Sequence, residues 1–391
     1  MSIHTRSFRI KIPFLLLTIL LLLTAANPYA TPVKSARLSV GSIEFLGMVE
    51  FQTGFQFSGT EVGGLSSIDF DQNRGAYYIL SDDPSQINPA RYYTASIDVS
   101  DGSLDPGDVT FQQVTLLKDE NGSTFPPFSL DPEGLTLPHP GQLFITSEGF
   151  VLSEPTIDPF VNRFNLVGRQ NRALEVPEKF LPNAERTKGI RHNLAFESLT
   201  STPDERYLYT ATENALVQDG PPATLTNGSP ARVLQYLLGS KRPGAEFVYP
   251  VDPIFAVPVP PDAFAVNGLV ELLALDNRGT FLSMERSFSV GVGNRVAIYE
   301  TTTEDATNVA DIQALAPSGG SPVSYQAMSK EFLLDFQGEF GLIPDNLEGL
   351  AFGPPMADGR SLLIVISDNN FAVGQTTQFI ALAVDLVPVS N

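Results

Sequence analysis

The stretch Glu197-Ser198-Leu199-Thr200-Ser201-Thr202-Pro203-Asp204-Glu205-Arg206-Tyr207-Leu208-Tyr209-Thr210-Ala211-Thr212-Glu213 decides the fold. Apolar and β-branched residues flank the polar turn Pro203–Arg206, so it reads as two short strands joined by a hairpin. An acid stands at each end. The same plan recurs at Gly63-Gly64-Leu65 to Ser81-Asp82, Glu133-Gly134-Leu135 to Ser147-Glu148, Glu271-Leu272-Leu273 to Met284-Glu285 and Glu348-Gly349-Leu350 to Ser367-Asp368. Aligned on Leu65, Leu135, Leu199, Leu273 and Leu350, the steps are 70, 64, 74 and 77 residues. Units this long, with several strands each, predict propeller blades. The chain's 31 Pro and 31 Gly interrupt it too often for a helical solenoid.

The turn chemistry supports hairpins in the other copies. Asp71-Gln72-Asn73-Arg74-Gly75, Asp276-Asn277-Arg278-Gly279 and Ala357-Asp358-Gly359-Arg360 hold the residues that tolerate left-handed dihedrals. Asp69 to Gly75 has some of the spacing of a calcium loop, but its Gly comes one place late and no Glu closes it, so it too reads as a turn. Two further strands follow each pair, Arg91–Val99 and Val109–Leu117 in the first unit, Phe160–Val167 and Leu174–Phe180 in the second. The expected fold is therefore all-β, a single propeller of four-stranded antiparallel blades. Five blades are counted, and residues 215–266 or 300–345 are long enough to hide a sixth. The first of these, with Pro221-Pro222 and Asn227-Gly228, reads as a loop excursion over one face. Ser42–Phe51 and Gln378–Val387 lack partners in their own units, and pairing them would close the ring.

Residues 1–30 read as a secretory signal. Arg6, Arg9 and Lys11 precede an apolar run from Ile12 to Leu23, and small residues follow, with cleavage expected after Ala26 or Ala30. The run is short for a membrane span. The expectation is a secreted or periplasmic chain with no stable membrane insertion, its domain running from residue 31 to 391. Losing Arg6, Arg9 and Lys11 takes the formal charge from −20 to −23. That charge disfavours nucleic acid and anionic lipid and suits cations. There is no cysteine, which excludes thiol nucleophiles and thiolate metal sites and leaves the core to hold an exported fold unaided. Only His139 and His192 remain after cleavage, too few for a three-histidine zinc site. No G-x-S-x-G or H-E-x-x-H motif occurs.

Acids recur at two places in the units. Glu133, Glu197, Glu271 and Glu348 open first strands, and Asp82, Glu148, Glu213, Glu285 and Asp368 close second strands. Antiparallel pairing sets the start of one strand beside the end of the next, so radial repetition gathers these carboxylates at one mouth of the channel. Hard oxygen ligands of this kind suit calcium. The expected metal ligands are Asp82, Glu133, Glu148, Glu285, Glu348 and Asp368. Acids at strand ends also brace tight turns by accepting backbone N–H groups, and a repeat would copy such a brace five times.

Four stretches together resemble the phytase-like, "esterase-like activity of phytase" family of bacterial β-propeller proteins. They are Gly64-Leu65-Ser66-Ser67 through Asp83, Asp131-Pro132-Glu133-Gly134-Leu135 through Gly149, Asn193-Leu194-Ala195-Phe196-Glu197 through Glu213, and Asp345-Asn346-Leu347-Glu348-Gly349-Leu350 through Phe371. Met284-Glu285-Arg286-Ser287-Phe288 fits the family's acidic-Arg strand end. The resemblance spans residues 40–390 and implies a propeller and hydrolysis of phosphate or carboxylate esters. Glu197, Glu213, Arg191, His192 and Arg286 are then the candidate catalytic groups, and Asn193, Asn346 and Asn369 the candidate substrate contacts. The expected function is a calcium-dependent ester hydrolase acting as a monomer on a small molecule. The alternatives are a non-catalytic calcium- or ligand-binding propeller and a lactonase-like enzyme.

Overall fold

The structure is a computed structural model and describes residues 36–389. The expected signal segment lies outside the described residues. Five four-stranded antiparallel sheets carry the fold, each ordered from the channel axis outward. Blade I comprises Leu65–Asp71, Ala76–Ser81, Arg91–Ile97 and Val109–Leu116. Blade II comprises Pro132–His139, Gln142–Ser147, Phe160–Phe164 and Gln170–Ala173. Blade III comprises Phe196–Ser201, Tyr207–Thr212, Ser229–Leu237 and Arg242–Val251. Blade IV comprises Ala265–Ala274, Thr280–Ser289, Gly293–Thr302 and Ser329–Asp335. Blade V comprises Asn346–Pro355, Ser361–Asp368, Thr376–Pro388 and, outermost, Leu38–Gln52.

Residues 215–266 and 300–345 therefore supply the outer strands of blades III and IV, and no sixth blade stands among the described residues. The Pro and Gly clusters that suggested an excursion only flank those strands. Leu174–Phe180 is not a strand either. The outer strand of blade II ends at Ala173, and Glu178–Phe180 forms one 3-10 turn.

Inner strands are buried on both faces because each blade is packed between two others, so they read as continuous apolar runs. Ala76–Ser81 is buried along its whole length. Outer strands such as Val109–Leu116 alternate. The hydrophobic core is accordingly divided into five interblade clusters. Tyr78, Leu80 and Tyr92 meet Leu143 and Ile145 between blades I and II, and Phe144 and Val161 meet Phe196 and Leu234 between II and III. Tyr209 and Tyr249 meet Leu269 and Phe281, and Leu282 and Ile298 meet Leu363 and Ile380. Ile68, Ile79 and Tyr93 meet Ile364 and Phe379, which closes the ring between V and I. Strand pairing also closes the ring. Leu38–Gln52 pairs with Thr376–Pro388, as expected of Ser42–Phe51 and Gln378–Val387, with Ile43 opposite Val384 and Phe51 opposite Thr377.

The hairpins joining first and second strands share one device. Asp71, Asp204, Asp276 and Asp358 each accept the backbone N–H two residues on, from Asn73 (2.9 Å), Arg206 (3.2 Å), Arg278 (2.7 Å) and Arg360 (3.0 Å). These are Asx turns, and they put all four hairpins at the end of the blade away from the strand-end acids.

Candidate functional site

At the other end, the residue before each first strand faces the residue closing the second. The N–H of Asp82 donates to Gly64 O, that of Glu148 to Asp131 O and that of Glu213 to Ala195 O. In blade V Asn346 stands opposite Asp368, and in blade IV Gly268 stands opposite Arg286. The first strands then carry a bulge, which inserts an extra residue and re-aims its side chain. Glu133, Glu197 and Glu348 fall in the bulges of blades II, III and V, and Ser66 and Val270 in those of I and IV.

This register corrects the reading of the first and fourth repeats. The residue two places after the bulge, matching Leu135, Leu199 and Leu350, is Ile68 and not Leu65 in the first and Leu272 and not Leu273 in the fourth. A slip of one residue turns every side chain to the other face. Glu285, expected as a metal ligand, is therefore directed away from the channel. It accepts from Tyr249 Oη (2.8 Å), Asn267 Nδ2 (2.9 Å) and Asp252 N (3.1 Å) and is ion-paired with Lys330. Glu271 also leaves the mouth. It is bonded by Leu272 N (2.9 Å), faces the backbone of Leu199 and Leu350, and burial pushes its carboxyl well above the usual range. Arg286 takes the strand-end position in blade IV. The fourth blade thus contributes a cation where the others contribute acids.

The mouth is a cavity of about 1170 Å³. Asp82, Asp131, Glu133, Glu197, Glu213, Glu348 and Asp368 line it, and Glu148 stands directly behind, hydrogen-bonded to Ala195 N and Glu197. Oxygens of Asp131, Glu133 and Glu148 lie within 4.8 Å of one another. Two ligands on one calcium, each at roughly 2.3–2.6 Å, are no more than about 5 Å apart, so this set can share an ion without backbone movement. The Arg286 guanidinium faces the other side, with Nη2 3.1 Å from Glu348 Oε1 and 4.0 Å from Glu213 Oε1. Asn346 Nδ2 donates to Glu348 Oε1 (2.8 Å) and Asp368 Oδ2 (3.0 Å).

Crowded, desolvated carboxylates resist ionisation. Burial first, then neighbouring charge, raises Asp82 and Glu133 well above the usual carboxylate range. Burial lifts Asp131 to about 7, and lifts Glu213 to about 7 against the opposing pull of Arg286. Glu148 and Glu348 rise to about 8 and Asp368 to about 6, again mainly through burial. Glu197 is raised well above the usual range by burial and by the neighbouring Glu148 and Glu213. Burial works against the charge of Arg286, but Glu348, Glu213 and Glu197 outweigh it and its pKa rises. Glu213 Oε1 and Arg286 Nε are buried without a hydrogen-bond partner.

Two glycines make this crowding possible. A Cβ on Gly268 would lie 2.2 Å from Glu213 Cγ. One on Gly64, at φ +62°, would lie 1.9 Å from Asp82 Oδ1.

Of the remaining predicted residues, His192 and Asn193 line the cavity. Arg191 does not. Its guanidinium donates to Ala215 O (3.0 Å) and Gly220 O (2.6 Å) and braces that loop. Asn369 is also a brace, accepting from Gly64 N (3.1 Å) and Phe371 N (3.0 Å). Asp131 was missed as a ligand, although the acid two places before Glu133 in Asp131-Pro132-Glu133 was a readable signal. So were Phe264, Phe288 and Ile343, apolar residues on the cavity wall that no repeat marks.

Residues 60–371 match the family described as Phytase-like: esterase-like activity of phytase. No curated protein matches the chain. Among solved structures, a Dos1 propeller is similar at 7% identity and a TM-score of 0.29, covering 81% of this chain and 68% of that one. A GH43_12 protein retrieved from a capybara gut metagenome is similar at 11% identity and a TM-score of 0.41, covering 84% of this chain and 52% of that one.

Proposed function

This chain belongs to the Phytase-like family (esterase-like activity of phytase), and from that premise we propose that it is an exported, monomeric, calcium-dependent hydrolase of phosphate or carboxylate esters. The observation that carries the reading is the trio Asp131, Glu133 and Glu148, convergent carboxylates of which Glu133 and Glu148 are buried and Asp131 half-buried, with no basic side chain bonded to them among the described residues. A bound calcium would polarise an ester oxygen and make water more acidic. The chain's own groups do the rest. Arg286, with Nε free, holds the second oxygen of the ester centre. Glu213, with Oε1 unpartnered and a pKa of about 7, takes a proton from attacking water. Glu197, whose carboxyl burial and the neighbouring Glu148 and Glu213 push well above the usual range, gives a proton to the departing alkoxide. The apolar run after Arg6, Arg9 and Lys11 supports export, and the net charge supports a partner that is neither nucleic acid nor lipid.

The test is hydrolysis of p-nitrophenyl phosphate, p-nitrophenyl acetate, phytate and a lactone, with and without calcium, alongside thermal melting. Calcium-dependent turnover of an ester, lost in Glu197→Gln, is the expected result. A melting temperature that rises with calcium while every substrate stays intact would make the protein a non-catalytic calcium-binding propeller. Indifference to both calcium and chelator removes the mechanism.

A further inference from the structure

The acid ring is broken at blade IV, and above the break the cavity wall changes character. Where other blades carry carboxylates, blade IV has Gly268, Val270 and Arg286. Above them stand Phe264, Val266 and Phe288, joined by Ile343 and Pro344 at the entry to blade V. Phe264 is 65% and Ile343 81% exposed. The rings of Phe264 and Phe288 lie 6.3 Å apart, inclined at 39°. Phe264 is held in place by its backbone, since Val290 N donates to Phe264 O (3.1 Å), Val259 N to Val290 O (2.7 Å) and Ser289 Oγ to Ala256 O (2.7 Å). A solvent-facing apolar wall on a braced backbone, lining the same cavity as Arg286, is a binding surface rather than scattered exposure.

Charge narrows what can lie against it. The residues lining the cavity include two basic side chains, Arg286 and His192, and no lysine, against the acids already described. One carboxylate trio is arranged to share an ion. A polyphosphorylated polyol would bring more negative charge than these groups can neutralise. Resting on the ester-hydrolase reading, we propose that the substrate is a monoester with one bulky apolar substituent, which lies on Phe264 and Phe288 while its ester centre lies between Arg286 and the Asp131–Glu133–Glu148 trio.

Matched pairs test this on the full chain with calcium: naphthylethyl phosphate against ethyl phosphate, whose leaving alcohols are similarly acidic, and p-nitrophenyl phenylacetate against p-nitrophenyl acetate. The expected preference in kcat/KM for the apolar member is about tenfold or more in the pair that is hydrolysed, the scale of covering one aromatic face. Phe264→Ser, at an exposed position, should erase most of that preference by lowering kcat/KM for the apolar member. Calorimetric binding of naphthylmethylphosphonate, with methylphosphonate as control, gives a second readout. Its affinity should fall about tenfold in Phe264→Ser. Hydrolysis with equal rates on both members and no effect of Phe264→Ser overturns the apolar-substituent proposal alone. Phytate hydrolysed faster than either naphthyl or phenylacetyl substrate also overturns it. No hydrolysis of any ester, with phosphonate binding that depends on Phe264, sinks the hydrolase reading and keeps the apolar site. Equal binding of the two phosphonates sinks the site.

Discussion

Glu285, in the second strand of blade IV, and Glu133, in the first strand of blade II, are both buried acids that differ in their partners. Glu285 is 3% exposed and ion-paired with Lys330, which also meets Asp252 Oδ1 at 2.7 Å and lies 4.3 Å from the centroid of the Tyr299 ring. Removing its charge leaves the largely buried Lys330 ammonium short of one counter-ion. Glu285→Gln should therefore lower stability by roughly 3 kcal/mol while leaving the calcium response unchanged. Glu133 has the opposite setting. Burial and the charges of Glu197, Asp82 and Asp131 all resist its ionisation. Glu133→Gln should leave the calcium-free protein as stable or more stable, and weaken calcium binding by about tenfold or more. Thermal melts of both variants with calcium and with chelator check the pair. If Glu285→Gln instead abolished the calcium response, the register assigned to blade IV would be wrong. Gly268→Ala probes the same crowding from the other side. Its Cβ would overlap Glu213 Cγ, so Glu213 must move, and ester turnover should fall at least about tenfold while the fold melts cooperatively.

At the scale of strands, the sequence was legible where local chemistry and register coincide. Asp-containing turns, paired apolar runs and the two unmatched terminal strands gave the blade plan and its closure, because turn residues and edge pairing act within a few positions. The fourth repeat was not legible. Its bulge residue is Val270, which carries no mark in the sequence, and an acid at Glu271 one place later imitates the motif. The apolar wall was hidden for a different reason. Phe264 and Ile343 lie in connections just before first strands, where no periodicity applies. The strand Leu38–Gln52 makes the clearest prediction at this scale. It is paired along one edge to Thr376–Pro388, and Val49, Phe51 and Leu46 pack in the cluster that joins blades V and I. Deleting residues 31–52 should expose the Thr376–Pro388 edge and strip apolar cover from that cluster, giving insoluble protein. Soluble, cooperatively folding material, judged by size-exclusion chromatography and melting, would show that the ring closes without it.

The whole molecule stores like charge at one end of a ring held by five apolar interfaces, and this couples its stability to pH and to cations together. The carboxyls at the mouth titrate higher in the folded chain than unfolded carboxyls, which lose their protons near pH 4. Between those limits the folded state binds more protons than the unfolded state, so stability falls as pH rises. The window follows from the groups themselves, Asp368 at about 6, Asp131 and Glu213 at about 7, and Glu148 and Glu348 at about 8. Their stabilisation is complete below about pH 4, and it is lost progressively as pH rises through the folded-state values of about 6 to 8. Without calcium the melting temperature should therefore drop steadily across that interval. A divalent cation binds the ionised form, so it must displace protons to enter. Calcium should raise the melting temperature more at pH 8 than at pH 6, and at a hundredfold excess over its dissociation constant the gain of about 2.7 kcal/mol corresponds to roughly 5 °C. Calorimetric titration at pH 7 should show a binding enthalpy that depends on the buffer's ionisation heat, the signature of released protons. A melting temperature flat from pH 6 to 8 without calcium would mean that the mouth carboxyls are already neutralised by contacts within the protein. Calcium binding with no buffer dependence would place the ion somewhere other than the trio Asp131, Glu133 and Glu148.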